Sequence, residues 1–465
     1  MSLISKWCYI YGGIKNNSMR LHNKILLSIP FCCMMMLSNH ILSKETNKEN
    51  LFSIDAQIRA RAEFRHGTFQ PLPIHAKPAG LISQRTRFSL AYQYKDLLKL
   101  KISPQMVSIW GQESMTQGVS NNNGLSFFEA YAQININPKA SFLIGRQVIS
   151  LDDERFFGAL DWAQGGRAHD AVAFQLKKGK GEFRAYFAFN QNYKELYRNN
   201  LSNVSGSLFS PKGAINYKWM QTAWGKYMID KNNSISAIVA NVGFQNATHA
   251  LDTAKTFFSP TIGVNYSHNK NDWKVNTSVY YQTGKNAQGI STNAYLLSAS
   301  FNKKLNPMWN IGLGADIVSG NNINENANKY NNAFIPYFGT NHKFYGSMDY
   351  YYAGNTHSNT GLGDIYLSTS FEPKSKLKLT AVFHQFLTPN KVNNGFKRLS
   401  TNTGQEIDFN IVYSINKFTK LVGGYSIYTV SETTKYLKNA ADTRNTQHWV
   451  WLSLNIQPNL LNFNY

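Results

Sequence analysis

Cysteine is nearly absent from this chain of 465 residues. Cys8, Cys32 and Cys33 all fall in the first 33 positions. The remaining chain therefore holds neither a disulfide scaffold nor a thiolate metal site. It suits a protein that crosses an oxidising compartment without mispairing. Acidic residues are few, 26 against 48 Lys and Arg, for a formal net charge of +22. Such an excess raises a nucleic-acid reading. The basic residues form no single helix or patch, however, and recur singly at alternate positions of apparent strands, so no nucleic-acid partner is expected. Long apolar runs are missing too. No segment reaches the roughly 20 residues of a transmembrane helix, so a chain of this kind enters a membrane only as a closed barrel.

The amino terminus reads as an export signal. Arg20 and Lys24 precede the apolar run Ile25–Leu37, which Pro30 interrupts, and polar residues follow from Ser38. This is short for a spanning helix and right for a leader, with removal expected near residues 38–45. Residues 1–18, ahead of Met19, read as an upstream extension. Ile29, Pro30 and Phe31 stand before Cys32 where a lipobox needs small residues, which disfavours a lipoprotein. The expected organisation is an extension plus signal peptide at 1–43, then a single barrel at 44–465.

Alternation is what the chain has in abundance. In LFSIDAQIRARAEFR, Phe52, Ile54, Ala56, Ile58, Ala60, Ala62 and Phe64 share one face. Asp55, Gln57, Arg59, Arg61, Glu63 and Arg65 share the other. Side chains of a strand point alternately to opposite faces, so this is a strand with one apolar and one charged side. At 15 residues it exceeds a typical soluble strand of about 5–6 and suffices to cross a bilayer at a tilt. The pattern recurs around Arg85 and Arg87, then with Phe128, Ala130 and Ala132 opposite Glu129 and Tyr131, then around Arg184, around Lys274, and with Ile407 and Phe409 opposite Glu406 and Asp408. It returns last at Val450–Ile456, eight or nine residues before the end. Short connections (NPKA, KKGKG, KSK) alternate with long Asn-, Gly- and Ser-rich ones at 191–214, 320–338 and 389–403, as in the turns and loops of outer-membrane barrels. Trp110, Trp219, Trp224, Tyr280, Trp309 and Trp449 lie near strand ends, where aromatic girdles are expected. The expected fold is an all-β, transmembrane antiparallel β-barrel of about 18 strands. A soluble sandwich or propeller is disfavoured because no fixed-period repeat is present.

The most specific block is GRQVISLDDERFFGALDWAQGGRAHDAVAFQL, from Gly145 to Leu176. Its elements are Gly145-Arg146-Gln147, Asp152-Asp153, Arg155, Gly158, Asp161-Trp162, Arg167 and Asp170. It resembles the alginate-export family of outer-membrane barrels. Arg59, Arg61 and Glu63, the segment TNHKFYGSMDYY (Thr340–Tyr351) and GQEIDF with Glu406 and Asp408 add to the likeness. The sequence departs from the family pattern at Ile317–Asn322, where an acidic residue is expected after Ser-Gly. The resemblance implies an 18-stranded barrel with an electropositive, arginine-lined lumen, which in the alginate exporter passes an anionic uronate polysaccharide.

Positive side chains in a narrow aqueous pore concentrate anions, because low-dielectric walls focus their field. Arginine adds a planar fork that pairs a carboxylate bidentately. The residues expected in the lumen are Arg59, Arg61, Glu63, Arg65, Arg85, Arg87, Arg146, Asp153, Arg155, Asp161, Arg167, Asp170, Arg184, Glu406 and Asp408. The stretch 151–169, with Gly158, Gly165 and Gly166, breaks the alternation and reads as an inward loop whose acids either position the arginines for selectivity or only salt-bridge it in place. His342 and His384 have no partners at metal spacing. Neither metal nor cofactor is expected. No nucleophile–base set accompanies Glu406 and Asp408, so an enzyme is not expected. The expectation is an outer-membrane channel in a Gram-negative cell, embedded in lipid and lipopolysaccharide. It would pass anionic or polar solutes passively, with carboxylate-bearing saccharides such as alginate in view and a periplasmic export or uptake partner. The alternatives are a general porin, or, from another class, a barrel enzyme or a surface adhesin using the loops at 191–214 and 320–338.

Overall fold

A computed structural model describes residues 50–67, 70–112, 125–190, 217–245, 255–322, 330–351 and 360–465. The leader and the loop 191–214 lie outside the described residues. The strands are β1 (Leu51–Arg65), β2 (Ala79–Tyr94), β3 (Leu98–Ile109), β4 (Leu125–Asn137), β5 (Ala140–Gln147), β6 (His169–Lys178) and β7 (Gly181–Phe189). Next come β8 (Trp219–Met228), β9 (Asn233–Gln245), β10 (Thr256–Lys270), β11 (Trp273–Gln282), β12 (Ser291–Thr292), β13 (Ala294–Lys304) and β14 (Trp309–Val318). The chain closes with β15 (Tyr330–Asn331), β16 (Leu362–Lys374), β17 (Leu377–Leu387), β18 (Asn402–Ser414), β19 (Thr419–Thr429), β20 (Thr446–Ile456) and β21 (Asn459–Asn464).

Apart from β12 and β15, which pair only with each other, all strands join one sheet. From β1 to β20 each pairs antiparallel with the next strand of the sheet. The sheet closes because β20 and β21 both pair with β1, Ile456 opposite Ile58 and Phe463 opposite Phe52. Those two strands are one stave interrupted at Pro458, whose carbonyl accepts from the Ala56 N–H at 3.1 Å but which has no N–H to give. The result is a closed antiparallel barrel of 18 staves with no free edge. The last stave thus runs to Asn464, eight residues beyond the expected end.

The outer face is apolar. Ile58, Val279 and Leu367 are 47%, 53% and 56% exposed, and such a band is stable only against lipid. No described helix is long and apolar enough to cross a membrane. At one end the strands meet in turns of two to four residues, the expected NPKA, KKGKG and KSK among them. Asn137, Asp230, Asn306 and Asn416 accept there from backbone N–H groups two or three residues on. All long connections lie at the other end.

One face assignment shifts. A bulge between Ser103 and Pro104, opposite Glu129 and Phe127, inserts one extra residue into β4. Phe128 therefore turns inward, against Arg87, whose guanidinium carbon lies 3.5 Å from the ring centroid. Trp224, Tyr280 and Trp449 also belong to the interior rather than to a girdle, each being under 5% exposed.

Candidate functional site

Two connections fold into the barrel from the loop end. The first joins β5 to β6 and buries Leu151, Phe156, Phe157 and Leu160. The second precedes β16 and buries Phe334, Phe338, Tyr345, Met348, Tyr350 and Tyr351. They hold each other: the Gly158 N–H donates to the Phe338 carbonyl at 2.8 Å, and the Thr340 N–H to the Glu154 carbonyl at 2.9 Å. Arg167 donates to the Phe338 and Gly339 carbonyls. The tight path shows in the backbone, where Asp152, Glu154 and Leu160 have φ of 53°, 71° and 50°. The second segment corrects the expectation of a long loop at 320–338, since Phe334 and Phe338 fold into the interior.

The inner faces of β1 and β2 grip the first segment. Arg59 donates from Nε to Gln164 Oε1 at 2.9 Å, from Nη1 to the Asp161 carbonyl at 2.8 Å and from Nη2 to the Ala163 carbonyl at 3.0 Å. Arg61 donates to Glu63 at 2.8 Å and to the Trp162 carbonyl at 3.0 Å. Arg85 donates to Asp161 Oδ1 at 2.8 Å, while Arg59 and Arg87 approach that carboxylate at 3.7 and 4.0 Å. Arg65 lies over Trp449, 4.9 Å from its centroid. Five guanidiniums here face two carboxylates, Glu63 and Asp161. Asp161 is 58% exposed, whereas Arg85 is fully buried. Trp162 is stacked on His342 at 4.3 Å, with Arg61 4.3 Å from its centroid. That stack joins the wall to both inward segments.

The inner faces of β14 and β16–β18 carry the opposite sign. Asp316, Asp364, Glu406 and Asp408 are all nearly inaccessible. Glu406 accepts from the Met348 N–H at 2.8 Å and Asp408 from the Ser347 N–H at 3.2 Å, so these carboxylates anchor the second segment. Gly346 makes the approach feasible. Its φ is 81°, and a Cβ there would lie 2.7 Å from the Glu406 carboxylate. His384 Nδ1 lies 3.0 Å from Asp364.

Arg155 ties the first segment to the acidic wall, donating to Asp153 at 2.9 Å and to Asp316 at 2.8 Å. Burial opposes its charge, but Asp316, with Tyr345 and Asp153, outweighs this and raises its pKa. Burial raises the Asp152 carboxyl, although Ser236 Oγ at 2.6 Å and Trp224 Nε1 at 3.0 Å donate to it.

Most residues expected in the lumen lie on the inner face or in the first inward segment. Arg184 is among them, beside Glu182 and 5.3 Å from the Trp224 ring centroid. Two are not in the lumen. Arg146 and Asp170 pair at 2.9 Å on the face shared with Ile144 and Val172, which is the outside of the barrel. Gln147 and His169, one residue further in, take the inner face instead. No cluster of His, Cys, Asp and Glu fit to hold a metal ion occurs among the described residues.

A closed barrel with an apolar exterior, short turns at one end and a polar, partly plugged interior defines an outer-membrane channel. The alginate export family model matches residues 51–450, and the chain belongs to that family. Solved structures similar in fold include Pseudomonas aeruginosa OpdO (TM-score 0.59, 11% identity, 88% of this chain and 98% of that one). Acinetobacter baumannii OccAB3 gives a TM-score of 0.56 at 10% identity over 89% and 99% of the two chains. P. aeruginosa OpdK solved with vanillate gives 0.55 at 10% identity over 88% and 99%. No curated protein sequence matches the chain.

Proposed function

We propose that the channel passes anionic solutes passively, with carboxylate-bearing oligo- or polysaccharides such as alginate as the substrate class. The observation that carries this reading is the convergence of Arg59, Arg85 and Arg87 on the Asp161 carboxylate. Asp161 stands where a solute carboxylate would stand, tethered and open to water on one side. Three guanidiniums around one carboxylate leave a local positive excess, and the low-dielectric wall focuses it. The carboxylate of vanillate, present in the OpdK structure, belongs to the same chemical class.

The purified barrel in a planar bilayer tests this. Under a KCl gradient the reversal potential should show anion preference, and Arg59→Ala with Arg85→Ala should reduce it. A cation-selective or non-selective wild type would reject the reading, the latter in favour of a general porin. We further propose that the leader is removed near residues 38–45; amino-terminal sequencing of the membrane-inserted protein should begin there.

A further inference from the structure

The turn end of the barrel carries its own charge pattern, separate from the arginines. Alternation places Lys99 (β3), Lys226 (β8), Lys274 (β11), Lys304 (β13) and Lys420 (β19) on the inner face. Their register partners include Gln133, Ser236, Asn302, Asn310 and Asn455 respectively. Other inner cations at this level are neutralised: Lys101 by Glu129, Lys378 by Glu372 at 2.7 Å, and Arg184 by Glu182 at 2.5 Å. None of Lys99, Lys226, Lys274, Lys304 and Lys420 makes an ion pair among the described residues, although Lys226 acts on Asp152 and Lys304 on Glu372 at longer range. They come from staves spread around the whole circumference, so they form a ring rather than a patch.

We infer that this lysine ring is a second anion site, which captures an extended polycarboxylate chain at the periplasmic mouth before it meets the arginine zone. The turn end of such barrels faces the periplasm. Lys99 is level with Gln93, six residues along β2 from Arg87, or about 20 Å at 3.3 Å per residue. That is roughly twice the Debye length at 0.1 M salt, so the two zones act on different parts of a chain. The chemistry differs as well. The arginines are engaged with the inward segment, whereas the lysines end on flexible stems as solvated point charges with no fork to fit. Such groups hold a polyanion weakly at several points and release it readily, which transport requires. The inference rests on the anion-channel reading for its role in transport, but binding at the ring is separable from conduction.

The experiment uses hexagalacturonate as probe. Orientation is set by Asn306→Cys in the 305–308 turn, biotinylated and read by streptavidin from one side; the barrel itself holds no other cysteine. In low salt the on-rate of current block should be at least tenfold higher from the turn side than from the loop side. The combined variant K99Q, K226Q, K274Q, K304Q and K420Q should lose that tenfold and leave loop-side block unchanged. If that variant does not refold to a heat-modifiable barrel, K274E with K420E takes its place. Equal on-rates from both sides, or sidedness that survives the variant, overturns the inference. Absence of any current rejects the channel reading alone. Calorimetric titration of the detergent-solubilised barrel then decides the ring, a tenfold weaker hexamer affinity in the variant supporting it and equal affinity overturning it.

Discussion

Arg85 reaches from β2 with no exposed surface of its own and ends 2.8 Å from a carboxylate oxygen of Asp161, which is open to the lumen. A buried cation thus presents itself to the pore only through an anion supplied by the chain. Asp161→Asn removes that anion and leaves the three surrounding guanidiniums. Anion preference in the bilayer should rise, on the order of fivefold in permeability ratio, since one unit charge at about 4 Å is worth about 1 kcal/mol at the dielectric of water, the right value for so exposed a group. An unchanged or reduced ratio would mean that the guanidiniums reach the pore by another route.

Asp152 supplies a prediction with a pH sign. Burial raises its carboxyl in the folded state, so the folded barrel binds this proton more tightly than the unfolded chain does. The stabilising contribution is present below the unfolded carboxylate range, about 3.9, and is lost as pH rises through the folded value. Asp152→Asn keeps an oxygen to accept from Ser236 and Trp224 without the buried charge. Thermal melts should place the variant above the wild type at pH 7, with the gap closing towards pH 4. A gap that widens in acid would reverse the assignment.

At Gly346 a side chain meets both a left-handed backbone and the Glu406 carboxylate. Gly346→Ala should cost about 1–3 kcal/mol and release the second inward segment first. Limited proteolysis is the readout: cleavage within 341–351 should quicken while the strands stay resistant.

Trp162 joins three parts of the molecule through Arg61 and His342. Trp162→Ala should weaken docking of residues 159–165 by roughly 2–3 kcal/mol. Hydrogen exchange of their amides should then accelerate by about thirtyfold or more, with added flicker in single-channel current. Protection equal to the wild type would show that the backbone hydrogen bonds to Arg59 and Arg61 hold the segment unaided.

The barrel was legible in the sequence because a lipid-facing strand must alternate, which puts Ile58, Val279 and Phe409 on the outer face. The strain on that logic appears where a strand is irregular. Phe128 changed faces because a bulge adds a residue that alternation does not count. Arg146 belongs to the GRQ block that marks the lumen, but its spacing from Ile144 puts it outside. The alternation of the last stave stops at Ile456 because Pro458 breaks its ladder, yet pairing resumes at Asn459. The second inward segment was hidden for a different reason. Its aromatic residues Phe338, Tyr345, Tyr350 and Tyr351 have no strand period, and they become interior only through contact with the first segment and with Glu406, hundreds or tens of residues away. Alternation places the arginine-rich wall on the inner face, and the broken alternation of 151–169 marks the inward loop; the grip of Arg59 and Arg61 on the main-chain carbonyls of 161–163 has no local pattern of its own.

The closing seam between β1 and β20–β21 joins positions such as Arg59 and Asn455. Every other pair in the sheet can form as a hairpin while the chain extends; this one waits for the whole sequence. Trp162 packs against Trp449 and Trp451 on the far side of that seam, and Arg59 and Arg61 grip the same segment from the near side. The plug therefore works as an internal splint across the joint. The joint that closes last is thus the one held from both sides by the segment that narrows the pore.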